Sequence, residues 1–252
     1  MRGVYWKTNL GLFLFSLIAC LLALQAARAA DQKITFYTVD FPPYEFENPD
    51  SAGLRGFDIE VVIEAFKRMD IDADVDFLPW KRVIASSKAG TIAGAVSCVY
   101  TKEREAFYRF SAPISYSTQT FAYTPEYEGP VLKNIKDAEG LRILVVEGYA
   151  AEAELKAAGI PYETAMSDQA AINRLLERPY DVFYTVREFM EYTAQASRPS
   201  KKFRFFDITK TPYHLCISRQ WPESARLLAA FSKGLSLIRS DGTYQKIHNQ
   251  YR

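Results

Sequence analysis

Short apolar runs alternate with segments of helical periodicity from residue 34 onward. A strand is predicted at KITFYTVD, and it is followed by a loop containing Pro42 and Pro43 and by the polar turn ENPDSAG. In GFDIEVVIEAFKRMDI the apolar residues recur on one helical face, and Asp58 stands where an N-cap is expected. A second strand is predicted at DADVDFL. This order indicates a βαβ unit and a largely parallel sheet.

The order of strand and helix patterns then repeats. A helix ending at Gly90 is predicted at PWKRVIASSKAG, and a third strand at AGAVSCVY. After the extended run STQTFAYTP, strand and helix patterns are combined in LRILVVEGYAAEAELKAAGI and in SDQAAINRLLERPYDVFYTVREFMEYTA. A further strand at HLCISRQW precedes two closing helices that are separated at residues 240–242. Because no Gly/Ser linker separates the two α/β units, we predict two lobes with a cleft between them.

The N-terminal segment has the pattern of an export signal. Two basic residues precede a mostly apolar run over residues 10–24, and a small-x-small cleavage site stands at residues 27–29. The apolar run, about 15 residues, is shorter than a bilayer-spanning helix. We therefore predict a signal peptide over residues 1–29 and a periplasmic mature protein. A lipoprotein attached through Cys20 is the alternative, but the residues after Cys20 stay apolar where a polar tether is expected.

The charge balance changes when this segment is set aside. The whole chain has a formal net charge of +1, and three basic residues but no acidic ones lie within residues 1–29. The rest of the chain therefore has 28 basic and 30 acidic side chains, a net charge near −2. This balance excludes a strong electrostatic case for nucleic-acid binding, which needs a clustered basic surface.

Two cysteines, Cys98 and Cys216, lie outside the predicted signal peptide. An exported chain meets an oxidising compartment, so the pair can form a disulfide. Both lie within apolar, strand-like runs, which favours two buried thiols instead. The sequence has no zinc spacing, no Ser/His/Asp arrangement and no phosphate-binding loop, and His214 and His248 are isolated. We expect no metal and no cofactor.

Five stretches occur in a particular order: VDFPPYEFENPDSAGLRGFDIEVVIEAF, TKEREAFYRFSAPISYS, VVEGYAAEAEL, LLERPYDVFY and SDGTYQKIHNQY. In this order the chain resembles, over residues 33–252, the periplasmic solute-binding proteins of polar-amino-acid ABC transporters, which form bacterial extracellular solute-binding protein family 3. The resemblance implies an α/β, two-lobed periplasmic-binding-protein-like (type II) fold. It places residues 31–121 and 211–252 in lobe 1 and residues 122–210 in lobe 2.

The same resemblance implies how such a protein works. The two lobes close by a hinge on a small ligand, and the complex is delivered to an ABC permease in the inner membrane. The protein is expected to be a monomer.

Arg104 is the main candidate for binding the ligand. It stands a few residues beyond the strand AGAVSCVY, and the resemblance places a carboxylate-binding arginine in a Thr-x-x-Arg motif that Thr101 and Arg104 match. A guanidinium can bind a carboxylate through two parallel hydrogen bonds, which a lysine cannot reproduce. The alternative is a surface charge paired with Glu103 or Glu105.

Five further positions match ligand contacts of the family. Phe41 and Trp80 match aromatic positions, Ser97 matches a polar contact, and Gly148 and Tyr149 match a turn whose backbone amides meet the anionic end of a ligand. Each also has a structural interpretation, because aromatic residues are buried for packing far more often than for binding. In the same way, a strand hydroxyl can bond to the backbone, and a glycine can serve only a turn.

The chain departs from the family pattern where the ligand's ammonium group is bound. Typical members have an aspartate about five residues after the equivalent of Asp181, and Val186 stands there in this chain. An ammonium group buried without a carboxylate would remain unpaired. Either another acid replaces the aspartate, with Glu147, Glu188 and Asp40 as candidates, or the ligand has no α-ammonium group.

Two other functions are compatible with the same fold. A dehydratase-like enzyme would need an acid or base in the cleft, for which Glu147 is the candidate. A soluble sensory binding module would bind the same ligand and signal to a membrane partner. We predict a small-molecule binding protein and not an enzyme.

Overall fold

The computed structural model describes residues 33–177, 180–196 and 203–251. The predicted signal peptide and Cys20 lie outside these residues. Within the described ranges, no helix has both the length and the apolar character needed to cross a membrane.

The strands lie close to the predicted positions, except that two of them are long. Their bounds are β1 Ile34–Thr38, β2 Ala73–Phe77, β3 Gly94–Cys98, β4 Tyr108–Tyr123, β5 Ile143–Val146, β6 Glu163–Ala165, β7 Val182–Val186 and β8 Arg204–Ser218.

The helices follow the predicted periodicity, with one short helix added after β3. Their bounds are α1 Phe57–Lys67, α2 Trp80–Ala89, α3 Lys102–Glu105, α4 Ala150–Ala158, α5 Asp168–Glu177, α6 Arg187–Ala196, α7 Ser224–Ser240 and α8 Thr243–Asn249. As predicted, α2 ends at Gly90, which has a left-handed backbone conformation with φ 71°.

The eight strands form one sheet in the order β2-β1-β3-β8-β4-β7-β5-β6. Parallel pairs stand at both ends, since β1 pairs with β2 and β3, and β5 pairs with β6 and β7. The three pairings in the middle, β3 with β8, β8 with β4 and β4 with β7, are antiparallel. The predicted parallel units are therefore present, but an antiparallel centre joins them.

The strands β4 and β8 connect the two ends of the sheet. They have 16 and 15 residues and pair with each other from Tyr108 opposite Ser218 to Tyr123 opposite Arg204. The sequence pattern predicts only parts of each, because Pro113, Pro212 and many polar residues interrupt the apolar alternation. The expected lobe boundaries fall inside these two strands, and the division at those residues stays a prediction.

Aromatic pairs form the core on each side of this centre. In lobe 1, Phe66 of α1 stacks on Phe36 of β1 with ring centroids 5.4 Å apart and contacts Phe231 of α7 at 5.2 Å. On the other side of the centre, Phe121 of β4 stacks on Tyr184 of β7 with ring centroids 4.4 Å apart. Stacked aromatic pairs combine large apolar burial with a favourable ring geometry.

The start of α1 differs from the prediction, because Asp58 is not its N-cap. Gly56 precedes the helix, and the carbonyls of Pro43 and Tyr44 accept hydrogen bonds from the N–H groups of Phe57 at 3.3 Å and Asp58 at 3.2 Å. These carbonyls satisfy the first turn, so the Asp58 side chain turns into the protein and is completely buried. A Cβ at Gly56 would collide with the Tyr44 carbonyl, which is why a glycine is needed there.

The two cysteines form a disulfide, so the prediction of two buried thiols is wrong. Cys98 ends β3 and Cys216 lies in the neighbouring strand β8, with their Cα atoms 5.9 Å apart. Both residues are fully buried, as their apolar surroundings indicate. The sequence cannot show the pairing, because 118 residues separate the two cysteines.

We expect the double variant Cys98→Ala/Cys216→Ala to lower the free energy of unfolding by about 2–4 kcal/mol, because the bond restricts a long loop of the unfolded chain. Urea unfolding of the oxidised wild type and the variant measures the difference. Reductant should lower the wild type towards the variant and leave the variant unchanged. Equal stability of the oxidised wild type and the variant would contradict a stabilising disulfide.

Candidate functional site

A cavity lies where the two lobes face each other. The empty space in the cavity and in its opening to solvent is together about 530 Å³. Its lining combines side chains of lobe 1, such as Phe41, Glu45 and Arg104, with Tyr149 and Val186 of lobe 2. The long strands β4 and β8 contribute to it as well, through Gln119 and Tyr213.

Arg104 is held inside this cavity by the short helix α3. The Thr101 hydroxyl caps the helix by accepting the Arg104 backbone N–H at 3.2 Å. The Arg104 side chain is buried, with 6% exposure, and its guanidinium donates to the carbonyl of Val99 at 3.0 Å and of Gly148 at 2.8 Å. Thr101 thus orients Arg104, while its predicted contact with a ligand stays a prediction.

The two acids beside Arg104 in the chain have other partners. Glu103 pairs with Lys88 at 2.9 Å, and Glu105 pairs with Lys102 at 2.8 Å. The alternative of a surface arginine paired with these acids is therefore wrong. Burial lowers the pKa of Arg104, but an arginine remains charged at neutral pH. Among the described residues the guanidinium has carbonyl acceptors and no ion pair with a carboxylate.

Trp80 and Gly148 complete the surroundings of Arg104. The Trp80 indole N–H donates to the Gly148 carbonyl at 3.0 Å, and its ring lies 5.3 Å from the guanidinium carbon of Arg104. The Gly148 carbonyl in lobe 2 therefore accepts from two lobe 1 side chains. The Gly148 amide, predicted to meet an anionic ligand, donates instead to the Glu152 carboxylate at 2.6 Å.

Phe41 and Tyr149 form an aromatic wall between the lobes. Phe41 stacks on Phe189 of α6 with ring centroids 4.4 Å apart, and Tyr149 meets Phe41 edge-on at 6.3 Å. Tyr149 also meets Trp80 edge-on at 6.2 Å, and its hydroxyl donates to Asp168 at 2.7 Å. Three aromatic residues therefore line the cavity and also pack the lobes together: Phe41, Trp80 and Tyr149.

Ser97 lines the cavity together with Val99, as their positions two residues apart predict. The Ser97 backbone has φ 51° at an irregularity in the pairing of β3 with β8. Its hydroxyl donates to the Asp58 carboxylate at 2.6 Å, and the Ser115 hydroxyl donates to the same oxygen at 2.8 Å. The Ser97 hydroxyl thus has a protein acceptor.

Glu45 is the acidic residue of the cavity lining that the sequence did not predict. It is fully buried, and neither of its carboxylate oxygens accepts a hydrogen bond of normal geometry from the described residues. Burial and the neighbouring Asp58 raise the pKa of Glu45 well above its ordinary value, while the nearby Ser97 and Thr38 hydroxyls act in the opposite direction. Burial likewise raises the pKa of Asp58 to about 7, against the hydrogen bonds from Ser97 and Ser115.

The local sequence contains a signal for this arrangement. Phe41 and Glu45 face each other across a tight turn, with the Phe41 N–H donating to the Glu45 carbonyl at 3.0 Å. Gly56 presses against the same turn and brings Asp58 beside Glu45. An acid between two aromatic residues, followed by a Gly-Phe-Asp sequence, is the pattern that could have indicated a buried pair of acids.

The three acids proposed to replace the aspartate at Val186 are all engaged elsewhere. Glu147 lies at the rim of the cleft and pairs with Lys81 at 2.6 Å. Glu188 accepts from the backbone N–H of Thr118 at 2.9 Å, and the exposed Asp40 accepts from the Glu47 N–H at 3.0 Å. Val186 lines the cavity, as its position in the family pattern predicts.

Within the part of the chain that the structure describes, no group of three or more His, Cys, Asp and Glu side chains is arranged to hold a metal ion. His214 lies in β8 with its Nδ1 atom 2.8 Å from the Ser111 carbonyl oxygen, and burial lowers its pKa. His214 therefore takes part in the contact between β8 and β4.

A family model described as bacterial extracellular solute-binding proteins, family 3, matches residues 34–252. No curated protein matches the chain at a significant level.

Solved structures similar to the chain show the same two-lobed α/β fold. A mutant of ArgBP from T. maritima has 19% identity and a TM-score of 0.75, covering 91% of this chain and 98% of that one. A histidine kinase sensor domain with similarity to periplasmic binding proteins has 18% identity and a TM-score of 0.77, covering 88% and 96%. The ancestral amino acid-binding protein AncCDT-1, a precursor of cyclohexadienyl dehydratase, has 20% identity and a TM-score of 0.71, covering 87% and 95%.

The buried carboxyl group of Asp168, which accepts a hydrogen bond from Tyr149, is expected to make the free energy of unfolding depend on pH. Burial raises its pKa to about 7, against the hydrogen bond from Tyr149. Between about pH 4 and 7 the folded state keeps a proton that the unfolded state releases, so the free energy of unfolding falls as pH rises, by up to about 1.4 kcal/mol per pH unit. We expect Asp168→Asn to remove this contribution.

Urea unfolding at about pH 5 and about pH 7.5 measures the effect. From the lower to the higher pH, the free energy of unfolding should fall less in the variant than in the wild type. Asp137→Asn is the control, because hydrogen bonds from backbone groups lower the pKa of exposed Asp137 and its titration lies below this window. A wild type and an Asp168→Asn variant with the same pH slope would contradict the raised pKa.

Proposed function

Since the chain belongs to the bacterial extracellular solute-binding proteins of family 3, we propose that it binds a small carboxylate-bearing solute between its lobes. The ligand is an amino acid or a related organic acid. The observation that supports this proposal is the buried Arg104 guanidinium, which lines the cavity and has only carbonyl acceptors among the described residues.

The energetic argument starts from the cost of a buried charge. A cation in a low-dielectric cavity is stabilised strongly by an anion, and far less by two carbonyl dipoles. A guanidinium has five N–H donors, and the two carbonyl bonds leave others for a carboxylate. The guanidinium carbon lies over the ring of Trp80, 5.3 Å from its centroid, and a carboxylate binds where the remaining N–H donors point.

The remaining steps follow the family. We propose that residues 1–29 are removed on export, that the mature protein works as a monomer in the periplasm, and that its lobes close on the ligand by a hinge. The complex is then delivered to an ABC permease. The contacts of Arg104 and Trp80 with the Gly148 carbonyl, together with the Lys81–Glu147 ion pair, support a closed arrangement of the lobes.

The two alternative functions, an enzyme and a sensory module, can each be distinguished from a binding protein by experiment. The likeness to a histidine kinase sensor domain is compatible with a sensory module, and the likeness to AncCDT-1 is compatible with an enzyme, because one fold hosts several functions. A binding protein returns its ligand chemically unchanged after long incubation, which mass spectrometry measures. A sensory module would bind a membrane kinase instead of a permease, which a pull-down with each partner distinguishes.

The proposed carboxylate contact is tested by replacing Arg104. A thermal-shift screen of amino acids, dicarboxylates and aromatic acids first identifies a ligand, since saturation at a hundred times the dissociation constant adds about 2.7 kcal/mol of stability. We expect Arg104→Lys to weaken binding of that compound by about tenfold or more, because a lysine keeps the charge but loses the paired donors. Isothermal titration calorimetry measures the loss.

The matched control is Arg226→Ala on the outer face of α7, where the arginine pairs with Glu223 at 2.5 Å and has 78% side-chain exposure. This variant should bind the ligand as the wild type does. Undiminished affinity of Arg104→Lys for a carboxylate ligand would show that Arg104 only connects the lobes.

A further inference from the structure

Two buried carboxyl groups stand side by side in lobe 1, at the inner side of the cavity. Glu45 lines the cavity, and Asp58 lies behind it, held by the hydroxyls of Ser97 and Ser115. Both residues are fully buried, and both Glu45 oxygens and one Asp58 oxygen lack a hydrogen-bond partner among the described residues. A buried acid without partners needs an explanation, and a bound ligand is one that also accounts for the position of Glu45 in the cavity wall.

The surroundings of Glu45 and Asp58 do not stabilise a negative charge on both carboxyl groups at once. Two nearby buried carboxyls cannot both ionise, so the pair retains a proton in the free protein. Among the described lining residues, Arg104 is the one cation and Glu45 the one carboxyl group. The cavity therefore presents a cation and an acid that have no ion pair with each other.

The described residues that line the opposite wall of the cavity include no acid. Val186 and Thr185 of lobe 2 line it, and the Thr185 hydroxyl oxygen also lacks a partner among the described residues. Of the acids near the cavity in lobe 2, Glu147 pairs with Lys81 at the rim, and Asp168 accepts a hydrogen bond from the Tyr149 hydroxyl. A positively charged group entering the cavity therefore has Glu45 as its carboxylate acceptor, with Thr185 available for a further hydrogen bond.

We propose that Glu45, supported by Asp58, binds a cationic nitrogen of the ligand, in place of the acid that Val186 does not provide. This inference rests on the proposed function and narrows it. The ligand then carries a carboxylate for Arg104 and a protonated amine or similar cation for Glu45. The rings of Phe41 and Tyr213, which also line the cavity, present faces that suit a cation.

Binding of such a ligand changes the protonation of the pair. The cation favours the ionised form of Glu45 and lowers the affinity of the carboxyl pair for the proton that it shares. The part of this proton that Asp58 does not keep is released to solvent. The titratable groups around Glu45 are Asp58 of α1, Asp40 of its own loop, and the tyrosines Tyr149 and Tyr213. The tyrosines have a pKa raised by burial and stay protonated, so the released proton comes from the carboxyl pair.

The experiment compares amino acids with hydroxy acids of the same shape. The pairs are alanine and lactate, glutamate and 2-hydroxyglutarate, and phenylalanine and phenyllactate, each titrated into the full chain without residues 1–29. We expect the wild type to bind the amino acid of the accepted pair at least about tenfold more tightly than the hydroxy acid. Titration in two buffers of different ionisation heat should show proton release only with the amino acid.

Glu45→Gln keeps the shape of the side chain and removes its charge. We expect it to weaken binding of the amino acid by about tenfold or more, to leave the hydroxy acid within about threefold, and to abolish the proton release. Glu45→Asp keeps the charge and should retain the preference for the amino acid. Circular dichroism and thermal unfolding establish that each variant is folded. Glu128→Gln, at an exposed position after β4, is the matched control and should behave as the wild type.

The outcomes separate this inference from the proposed function. In one outcome the wild type binds an amino acid and its hydroxy acid equally while binding still requires Arg104. That result overturns the role of Glu45 and leaves the proposed function standing. Loss of amino-acid binding in Glu147→Gln but not in Glu45→Gln overturns it in favour of Glu147. No binding of any of these compounds, or of the compounds in the wider screen, rejects both.

Discussion

The buried guanidinium of Arg104 is the interaction on which the arrangement of the cleft depends. A charge removed from water must be stabilised by the protein, and here the acceptors are the carbonyls of Val99 in lobe 1 and Gly148 in lobe 2. Because one acceptor comes from each lobe, the cation connects the lobes when they are together. Because both acceptors are neutral, the charge of Arg104 remains available to an anion.

The buried acids Glu45 and Asp58 result from a backbone arrangement. The carbonyls of Pro43 and Tyr44 cap the start of α1, and this frees Asp58 to turn inward beside Glu45. The close approach of the two segments requires the absence of a side chain at Gly56. Cation and acid therefore stand in one cavity without neutralising each other, which suits a small ligand with charges of both signs.

The long strands β4 and β8 determine how the two sides can move. They run through both predicted lobes as an antiparallel pair at the centre of the sheet, and they carry Gln119 and Tyr213 to the cavity. The disulfide joins β8 to β3 within lobe 1 and fixes the strand that leads to Arg104. The hinge closure that we propose would therefore bend a paired ribbon instead of a single connecting chain.

Local patterns in the sequence determined the elements and part of the site. Helical periodicity and Gly90 predicted α2 and its end, and the order of motifs predicted the position of Arg104 beyond β3. Neighbours in the chain are enough for these features, because capping, periodicity and turn geometry act over a few residues. The same patterns predicted Asp58 as a cap, and they failed because backbone carbonyls from another segment took that role.

Tertiary structure alone decided the partners that join distant parts of the chain. Glu147 meets Lys81 across 66 residues, Arg104 meets Gly148 across 44, and Cys98 meets Cys216 across 118. Glu45 became a buried acid only because α1 packs against its turn. The sequence by itself thus determined the α/β elements and the arginine, whereas burial and partners depended on contacts between distant residues, which no local pattern contains.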